Sequence, residues 1–127
     1  MIVGILKEIK TEENRVSMTP AGVEVMIQNG HDLLVEKDAG KGSGFEDDAY
    51  QAAGAETVSS AREIFERADM VMHVKEPLPE EYDLIREDQI VFTYLHLAAA
   101  EEVTHALMRS RSINIAYETI QATDGSL

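Results

Sequence analysis

Short, nearly continuous apolar runs alternate with amphipathic segments along the chain, and this alternation limits the fold more than any other feature. Strands that are apolar throughout, rather than at every second position, are buried on both faces of a sheet. Because helical segments separate them, such strands are expected to run parallel, with helices on both faces. The sequence therefore predicts an α/β fold of three layers with a mainly parallel sheet. The predicted strands occupy residues 1–6, 32–36, 57–58, 69–74, 89–95 and 113–117.

Helix boundary signals lie between these strands. Thr19-Pro20 supplies an N-cap and a first helical residue, and Asn29-Gly30 ends the same helix. Ser60 and Glu63 have the spacing of a capping box. Residues 118–127 show no periodicity, so the chain is predicted to be one domain that stops partway. The predicted helices occupy residues 20–28, 46–53, 60–67 and 101–109, with one or two further turns at 80–86.

Composition narrows the possible partners. The net charge is −13, from 24 acidic and 11 basic residues, so nucleic acid and anionic membrane surfaces would be repelled. No stretch approaches the roughly 20 apolar residues that span a bilayer. The chain has no cysteine, and its four histidines lack the spacing of a metal site. With no signal-peptide pattern, the protein is predicted to be cytoplasmic, without a bound metal, nucleic acid or membrane.

A glycine-rich loop, Gly40–Gly44, raises the question of dinucleotide binding. Its spacing is G-x-G-x-G, whereas the dinucleotide fingerprint is G-x-G-x-x-G at the start of an apolar helix. Three carboxylates, Glu46-Asp47-Asp48, follow the loop and would repel a phosphate. The loop is therefore predicted to be a structural turn, and no residue of the chain is predicted to bind a cofactor.

Three residues with suitable chemistry follow predicted strands. Arg15 lies in the loop after the first strand, Lys75 directly follows the fourth, and His96 ends the fifth. Ligands of parallel α/β sheets bind beyond the carboxyl ends of the strands, so we expect these three residues to share one crevice. Arginine suits a carboxylate, lysine a polarised carbonyl oxygen, and histidine proton transfer near neutral pH. Together they would fit a small 2-oxo or 2-amino acid.

A structural role is the competing interpretation for every one of these residues. Arg15 could pair with the acidic residues that precede it, and Lys75 could be a solvated surface cation. His73 lies two positions before Lys75, but packing is the preferred interpretation of its role. His31, in a turn, and His105, on a helix, are predicted to be structural or exposed.

Five segments together resemble the alanine dehydrogenase and transhydrogenase alpha-subunit family. The opening segments Gly4–Lys10 and Glu13–Pro20 are similar to motifs shared by both branches, and Ala39–Phe45 resembles the family's glycine loop. Val74–Pro77 and Thr93–Ala98 are similar to the alanine dehydrogenase branch in particular. The transhydrogenase branch lacks a histidine at the position of His96, so the resemblance favours the alanine dehydrogenase branch.

The resemblance implies a fold, an activity and site roles. The fold would be Rossmann- or flavodoxin-like, as in the catalytic domains of formate and glycerate dehydrogenases. The reaction would be the reversible, NAD-dependent deamination of L-alanine to pyruvate and ammonia, in a hexamer. Arg15 and Lys75 would bind the substrate, and His96 would be the catalytic acid and base.

The resemblance also implies that these residues are only part of the enzyme. Residues 1–127 would be part of the N-terminal substrate domain, and NAD would bind a domain missing from this chain, which alone would be inactive. Two alternatives stay open: a domain of a proton-translocating transhydrogenase alpha subunit, and a non-enzymatic domain for small-carboxylate binding or assembly.

Overall fold

The computed structural model describes residues 1–126, which form a six-stranded sheet with helices on both faces. The strands are β1 (Ile2–Ile5), β2 (Asp32–Glu36), β3 (Glu56–Val58), β4 (Met70–Met72), β5 (Ile90–Thr93) and β6 (Ile113–Ala116). The helices are α1 (Pro20–Gln28), α2 (Asp47–Ala52), α3 (Ala61–Arg67) and α4 (Glu101–Ser110). Short 3-10 turns occupy Lys41–Ser43, Pro79–Leu84, Leu97–Ala99 and Tyr117–Thr119.

The sheet has the strand order β3-β2-β1-β4-β5-β6, and every neighbouring pair is parallel. The predicted parallel α/β sheet is confirmed. From β1 the chain builds outward to β3, then returns to place β4 on the other side of β1. The strand order therefore reverses at β1, which is the place where open sheets of this kind form a crevice at their carboxyl edge.

Two separate apolar clusters fill the space between the sheet and its helices. One contains Ile64 of α3 and Leu107 of α4, and the other contains Val23 of α1 and Tyr50 of α2. The helices therefore cover both faces, and the predicted three-layer arrangement is confirmed. No helix among residues 1–126 is long and apolar enough to cross a bilayer.

Four of the six strands, β1, β4, β5 and β6, are shorter than the apolar runs that predict them. The run at 69–74 contributes only Met70–Met72 to the sheet, and the run at 89–95 contributes Ile90–Thr93. Val74 and Leu95 lie past the strand ends but are 5 % and 3 % exposed, so their apolar character reflects burial under the loops rather than pairing. Strand length was therefore overestimated at the carboxyl edge, where the chain leaves the sheet.

The helix starts agree with the capping signals, with one difference. The Thr19 hydroxyl accepts a hydrogen bond from the Gly22 amide, and the Ser60 hydroxyl accepts one from the Glu63 amide. The Glu63 carboxylate, however, pairs with Arg67 one turn later instead of closing the predicted capping box. Half of the predicted box is therefore present, and the other half is an ion pair along the helix.

Gly4, in the middle of β1, allows α3 to pack directly on the sheet. A Cβ atom at this position would lie 2.4 Å from Cγ2 of Ile64 and 3.1 Å from Cβ of Ala68. We expect Gly4→Ala to lower the free energy of unfolding by about 1–3 kcal/mol, because an added methyl group in a packed core forces neighbours to shift. Urea denaturation measures this change.

The matched control for this substitution is the same change in an Ile64→Ala background. The clashing methyl group is then absent, so Gly4→Ala should cost clearly less than in the unmodified chain. An equal cost in both backgrounds would show that close approach to Ile64 is not the reason for glycine at position 4.

Candidate functional site

The carboxyl ends of β1, β4 and β5 form one continuous edge, because these strands are neighbours in the sheet. Arg15 lies in the loop between β1 and α1, Lys75 follows β4, and His96 follows β5. The structure therefore places all three predicted site residues along the same edge of the sheet.

Arg15 is held by an internal carboxylate. Its Nη2 lies 2.6 Å from Oε1 of Glu13, and its Nε lies 3.0 Å from Oε2. The guanidinium side chain is 60 % exposed, whereas that of Glu13 is 8 % exposed. The hydrogen bonds from Arg15, with a smaller contribution from the Lys75 ammonium, lower the pKa of Glu13 to about 2 against the opposing effect of burial. Glu13 is therefore ionised, and the Arg15 guanidinium group that it binds is still open to solvent.

The glycine-rich turn supports the loop that carries Arg15. The Ser43 hydroxyl donates a 2.6 Å hydrogen bond to the Asn14 carbonyl oxygen. A Cβ atom on Gly42 would lie 3.0 Å from both the Cα and the carbonyl oxygen of Asn14. The small residue lets the two loops touch, so the turn acts as a support for the Arg15 loop.

Lys75 has a backbone fixed from both sides. Its amide donates to Oε1 of Glu8 at 2.8 Å, and its carbonyl accepts from the Thr93 hydroxyl at 2.8 Å. Thr93 is fully buried at the end of β5. The side chain of Lys75 therefore extends from a backbone that is tied to the ends of both neighbouring strands.

His96 has an unusual backbone conformation. Its φ of 49° and ψ of 41° lie in the left-handed region, which non-glycine residues seldom adopt and which is frequent at functional sites. The amides of Leu95 and His96 both donate to Oε1 of Glu118 at 3.0 Å. Burial opposes ionisation of that carboxyl, but the backbone amide donors outweigh it and lower the pKa of Glu118. The charged carboxylate therefore holds the turn that presents the imidazole.

The three residues share an edge, but they do not contact one another. Within residues 1–126 no hydrogen bond or ion pair joins any two of them. Arg15 lines a polar cavity with Lys7 and Lys41, whereas His96 lines a mostly apolar one. The Tyr94 ring stacks on that of His96, with 6.0 Å between the ring centroids, and after Glu13 it also contributes to the raised pKa of Arg15. Arg15 and His96 thus line two different cavities and Lys75 lines neither of them, so the structure does not bring the three residues into the one crevice that we expected.

The structure adds a buried charged cluster that the sequence did not reveal. His73 is buried, as predicted, but its Nδ1 lies 2.7 Å from Oε2 of Glu8 and its Nε2 lies 2.7 Å from Oε2 of Glu81. All three side chains are less than one-tenth exposed. Glu8 and His73 follow neighbouring strands, so the strand-end rule could have paired them. Glu81 lies in a 3-10 turn that gives no such signal.

The remaining two histidines lie away from this edge. Nδ1 of His31 is 3.1 Å from the amino group of Met1, and His105 is 60 % exposed on α4, 3.7 Å from Glu101. Both agree with the structural or exposed roles predicted for them. Among residues 1–126, no group of three or more acidic or histidine side chains has the arrangement of a metal site.

Comparison with known proteins gives consistent matches over the whole chain. The family described as alanine dehydrogenase/PNT, N-terminal domain, matches residues 4–127. An alanine dehydrogenase of Methanococcus maripaludis is 51 % identical over 127 residues, which are 100 % of this chain and 34 % of that enzyme. The chain therefore spans about a third of the length of such relatives.

Solved structures agree with the sequence matches. A structure of an L-alanine dehydrogenase superposes with a TM-score of 0.94 at 49 % identity, covering 99 % of this chain and 35 % of that one. A transhydrogenase structure from Sinorhizobium meliloti superposes with a TM-score of 0.89 at 28 % identity, covering 98 % and 37 %. Both contain the fold described here, and the first is much more similar in sequence.

Glu118 offers a direct test of how the His96 turn is held. We expect Glu118→Ala to speed hydrogen exchange at the Leu95 amide by roughly tenfold or more, because a hydrogen bond to a charged acceptor is lost. Exchange measured by NMR reports this amide separately. Glu101→Ala, at a side chain that is 88 % exposed, is the control and should leave it unchanged. Unaltered exchange at Leu95 in Glu118→Ala would contradict the proposed restraint.

Proposed function

The chain belongs to the alanine dehydrogenase/PNT N-terminal-domain family, and from this premise we propose that it supplies the substrate-binding part of an NAD-dependent L-alanine dehydrogenase. The reaction is the reversible oxidative deamination of L-alanine to pyruvate and ammonia. The observation that carries the proposal is that Arg15, Lys75 and His96 follow adjacent strands of a chain 51 % identical to an alanine dehydrogenase.

Arg15 binds the substrate carboxylate in this proposal. A guanidinium group donates hydrogen bonds to both oxygens of a carboxylate at once, and the Arg15 side chain is 60 % exposed. Glu13 already engages Nε and Nη2, so the arriving carboxylate either displaces it or shares the guanidinium with it. In the absence of substrate, Glu13 orients the Arg15 guanidinium.

Lys75 interacts with the carbonyl oxygen or imine nitrogen on the reacting carbon of the substrate. An ammonium group next to a carbonyl or imine stabilises negative charge that develops on the oxygen or nitrogen. The Lys75 backbone is fixed by Glu8 and Thr93, so the side chain that carries the ammonium group starts from a rigid backbone. Rigid attachment limits the loss of conformational freedom on binding.

His96 transfers protons. An imidazole changes its protonation state near neutral pH, which suits steps that add or remove water and ammonia at the substrate carbon. The ring is presented by a turn that Glu118 holds, and it stacks on Tyr94. Both contacts restrict its orientation.

NAD does not fit the described part of this chain. The glycine-rich turn is packed against Asn14, and Asp47 and Asp48 begin the helix that follows. Neither feature suits a pyrophosphate, which needs close backbone approach and a helix start free of carboxylates. We therefore propose that NAD, which accepts the hydride, binds residues outside this chain. We also propose that the enzyme is a cytoplasmic homo-oligomer, which the family resemblance implies is a hexamer.

A transhydrogenase alpha subunit is the second candidate. The Sinorhizobium meliloti transhydrogenase shares the fold at 28 % identity, against 49 % for the L-alanine dehydrogenase structure. His96 favours the alanine dehydrogenase, because the transhydrogenase branch has no histidine there. A non-enzymatic carboxylate-binding or assembly domain is the third, and the activity test below separates it from both.

A chimera tests the activity. We expect this chain, replacing the matched N-terminal third of the Methanococcus maripaludis alanine dehydrogenase, to support NAD-dependent oxidation of L-alanine. His96→Ala in the chimera should lower kcat by about 10²- to 10⁴-fold, since an acid and base is lost. NADH absorbance follows the rate, and His105→Ala, at an exposed imidazole on α4, is the control. Undiminished kcat in His96→Ala would contradict the acid and base role of His96. NADH formation by the 127-residue chain alone would contradict the proposal that NAD binds residues outside it.

Calorimetric titration with pyruvate tests the binding site separately. We expect Arg15→Ala and Lys75→Ala to weaken pyruvate binding by about 10- to 100-fold each, because each removes a charge-assisted hydrogen bond. Arg62→Ala, at an exposed cation on α3, is the matched control for loss of one positive charge. Equal effects of all three substitutions would show that net charge, and not this site, governs binding.

A further inference from the structure

Glu8 fixes the Lys75 backbone in the proposed function, but its buried partner His73 and the second carboxylate, Glu81, have no role in it. The three side chains of this Glu8–His73–Glu81 cluster are 9 %, 3 % and 4 % exposed by residue, and they lie under the edge that carries Arg15 and Lys75. Buried charged groups are costly unless they are paired and hydrogen-bonded. The position of this cluster beside Lys75 therefore requires an account.

The geometry of the cluster favours a doubly protonated ring. Both ring nitrogens lie 2.7 Å from a carboxylate oxygen, and an ionised carboxylate can only accept a hydrogen bond. Two such contacts need two N–H donors, which only the imidazolium form has. With both carboxylates ionised, His73 is a buried cation between two anions.

The cluster is connected to Lys75 through Glu8. One oxygen of Glu8 accepts from His73, and the other accepts from the Lys75 amide at 2.8 Å.

The His73 backbone is fixed as well: its amide donates to the Phe92 carbonyl, and its carbonyl accepts from the Tyr117 hydroxyl at 2.9 Å. Glu81 is held in turn by the Leu78 amide at 2.9 Å.

We propose that His73 is a positioning residue of the substrate site: its doubly protonated ring orients Glu8, and Glu8 in turn fixes the backbone of Lys75. This inference rests on the proposed function, because it assigns His73 a role in binding the same substrate. The ring contacts neither the substrate nor the cofactor, and it acts only through Glu8 and Lys75.

The electrostatic surroundings support a stable imidazolium. Burial disfavours the charge, but the hydrogen bonds to Glu8 and Glu81 outweigh it and raise the pKa of His73 to about 9. Glu36, half-buried at the end of β2, is a third carboxylate facing the cluster, and burial raises its pKa. The raised pKa of His73 stabilises the fold fully below its ordinary value of 6.5, and this stabilisation is lost as pH rises through about 9.

The first measurement is NMR of the imidazole nitrogens of the unmodified chain. We expect both nitrogens of His73 to carry a proton at pH 7.5, and the ring to lose one of these two protons near pH 9. A ring with one unprotonated nitrogen at pH 7.5 would overturn the proposal.

The second measurement compares pyruvate affinity in two variants that remain folded by circular dichroism. His73→Gln removes the cation, and we expect it to weaken pyruvate binding by about 10- to 100-fold, because a small displacement of a binding group has an effect of that size. Glu81→Gln is the matched control. Its amide can donate to a neutral His73 and accept from Leu78, so Glu8 keeps its partner and affinity at pH 7.5 should stay close to that of the unmodified chain.

The pH dependence of affinity decides the matter if His73→Gln does not fold. Pyruvate affinity of the unmodified chain should fall across the titration of His73, and Glu81→Gln should lack that fall. Both chains contain the same lysines, so the difference between their pH profiles isolates His73. Identical pH profiles, or equal loss of affinity in both variants at pH 7.5, would overturn the positioning role.

The outcomes separate this proposal from the proposed function. Absence of pyruvate binding by the unmodified chain would overturn the proposed function, and the positioning role with it. Binding that is lost in Arg15→Ala but unchanged in a folded His73→Gln would leave the proposed function intact and overturn the positioning role alone.

Discussion

The parallel pairing of β1 with β4, and of β4 with β5, is the constraint on which the rest of the site depends. Because these strands run in the same direction, the residues that follow them all emerge at one edge. Glu8 and Arg15 follow β1, Lys75 follows β4, and His96 follows β5. One reversed strand would send its charged residues to the opposite edge, about a strand length away.

Much of the architecture could be predicted because it depends on local, periodic features. Continuous apolar runs indicated strands buried on both faces, and the cap at Thr19 marked the start of α1 to the residue. The strand-end rule then placed Arg15, Lys75 and His96 on one edge. Strand ends were less accurate, because a run such as 89–95 continues into a buried loop at Leu95 without any change of pattern.

The parts of the site that escaped prediction are those fixed by contacts distant in sequence. Glu81 reaches His73 from a 3-10 turn, and Glu118 reaches the His96 amide across 22 residues. Neither carboxylate differs in its sequence context from an ordinary surface residue. The left-handed conformation of His96 likewise has no clear local signal, since histidine adopts it more often than most residues but still seldom.

The reversal of strand order at β1 also governs how the chain can fold. β1 pairs with β2 about 30 residues later and with β4 only when Met70–Met72 is available. The centre of the sheet therefore depends on long-range closure, which slows folding relative to structures built from neighbouring segments. During synthesis, β1 must wait with one side unpaired until most of the described chain has left the ribosome. Its apolar residues are then exposed to other partners for longer than those of any strand that pairs with a preceding neighbour.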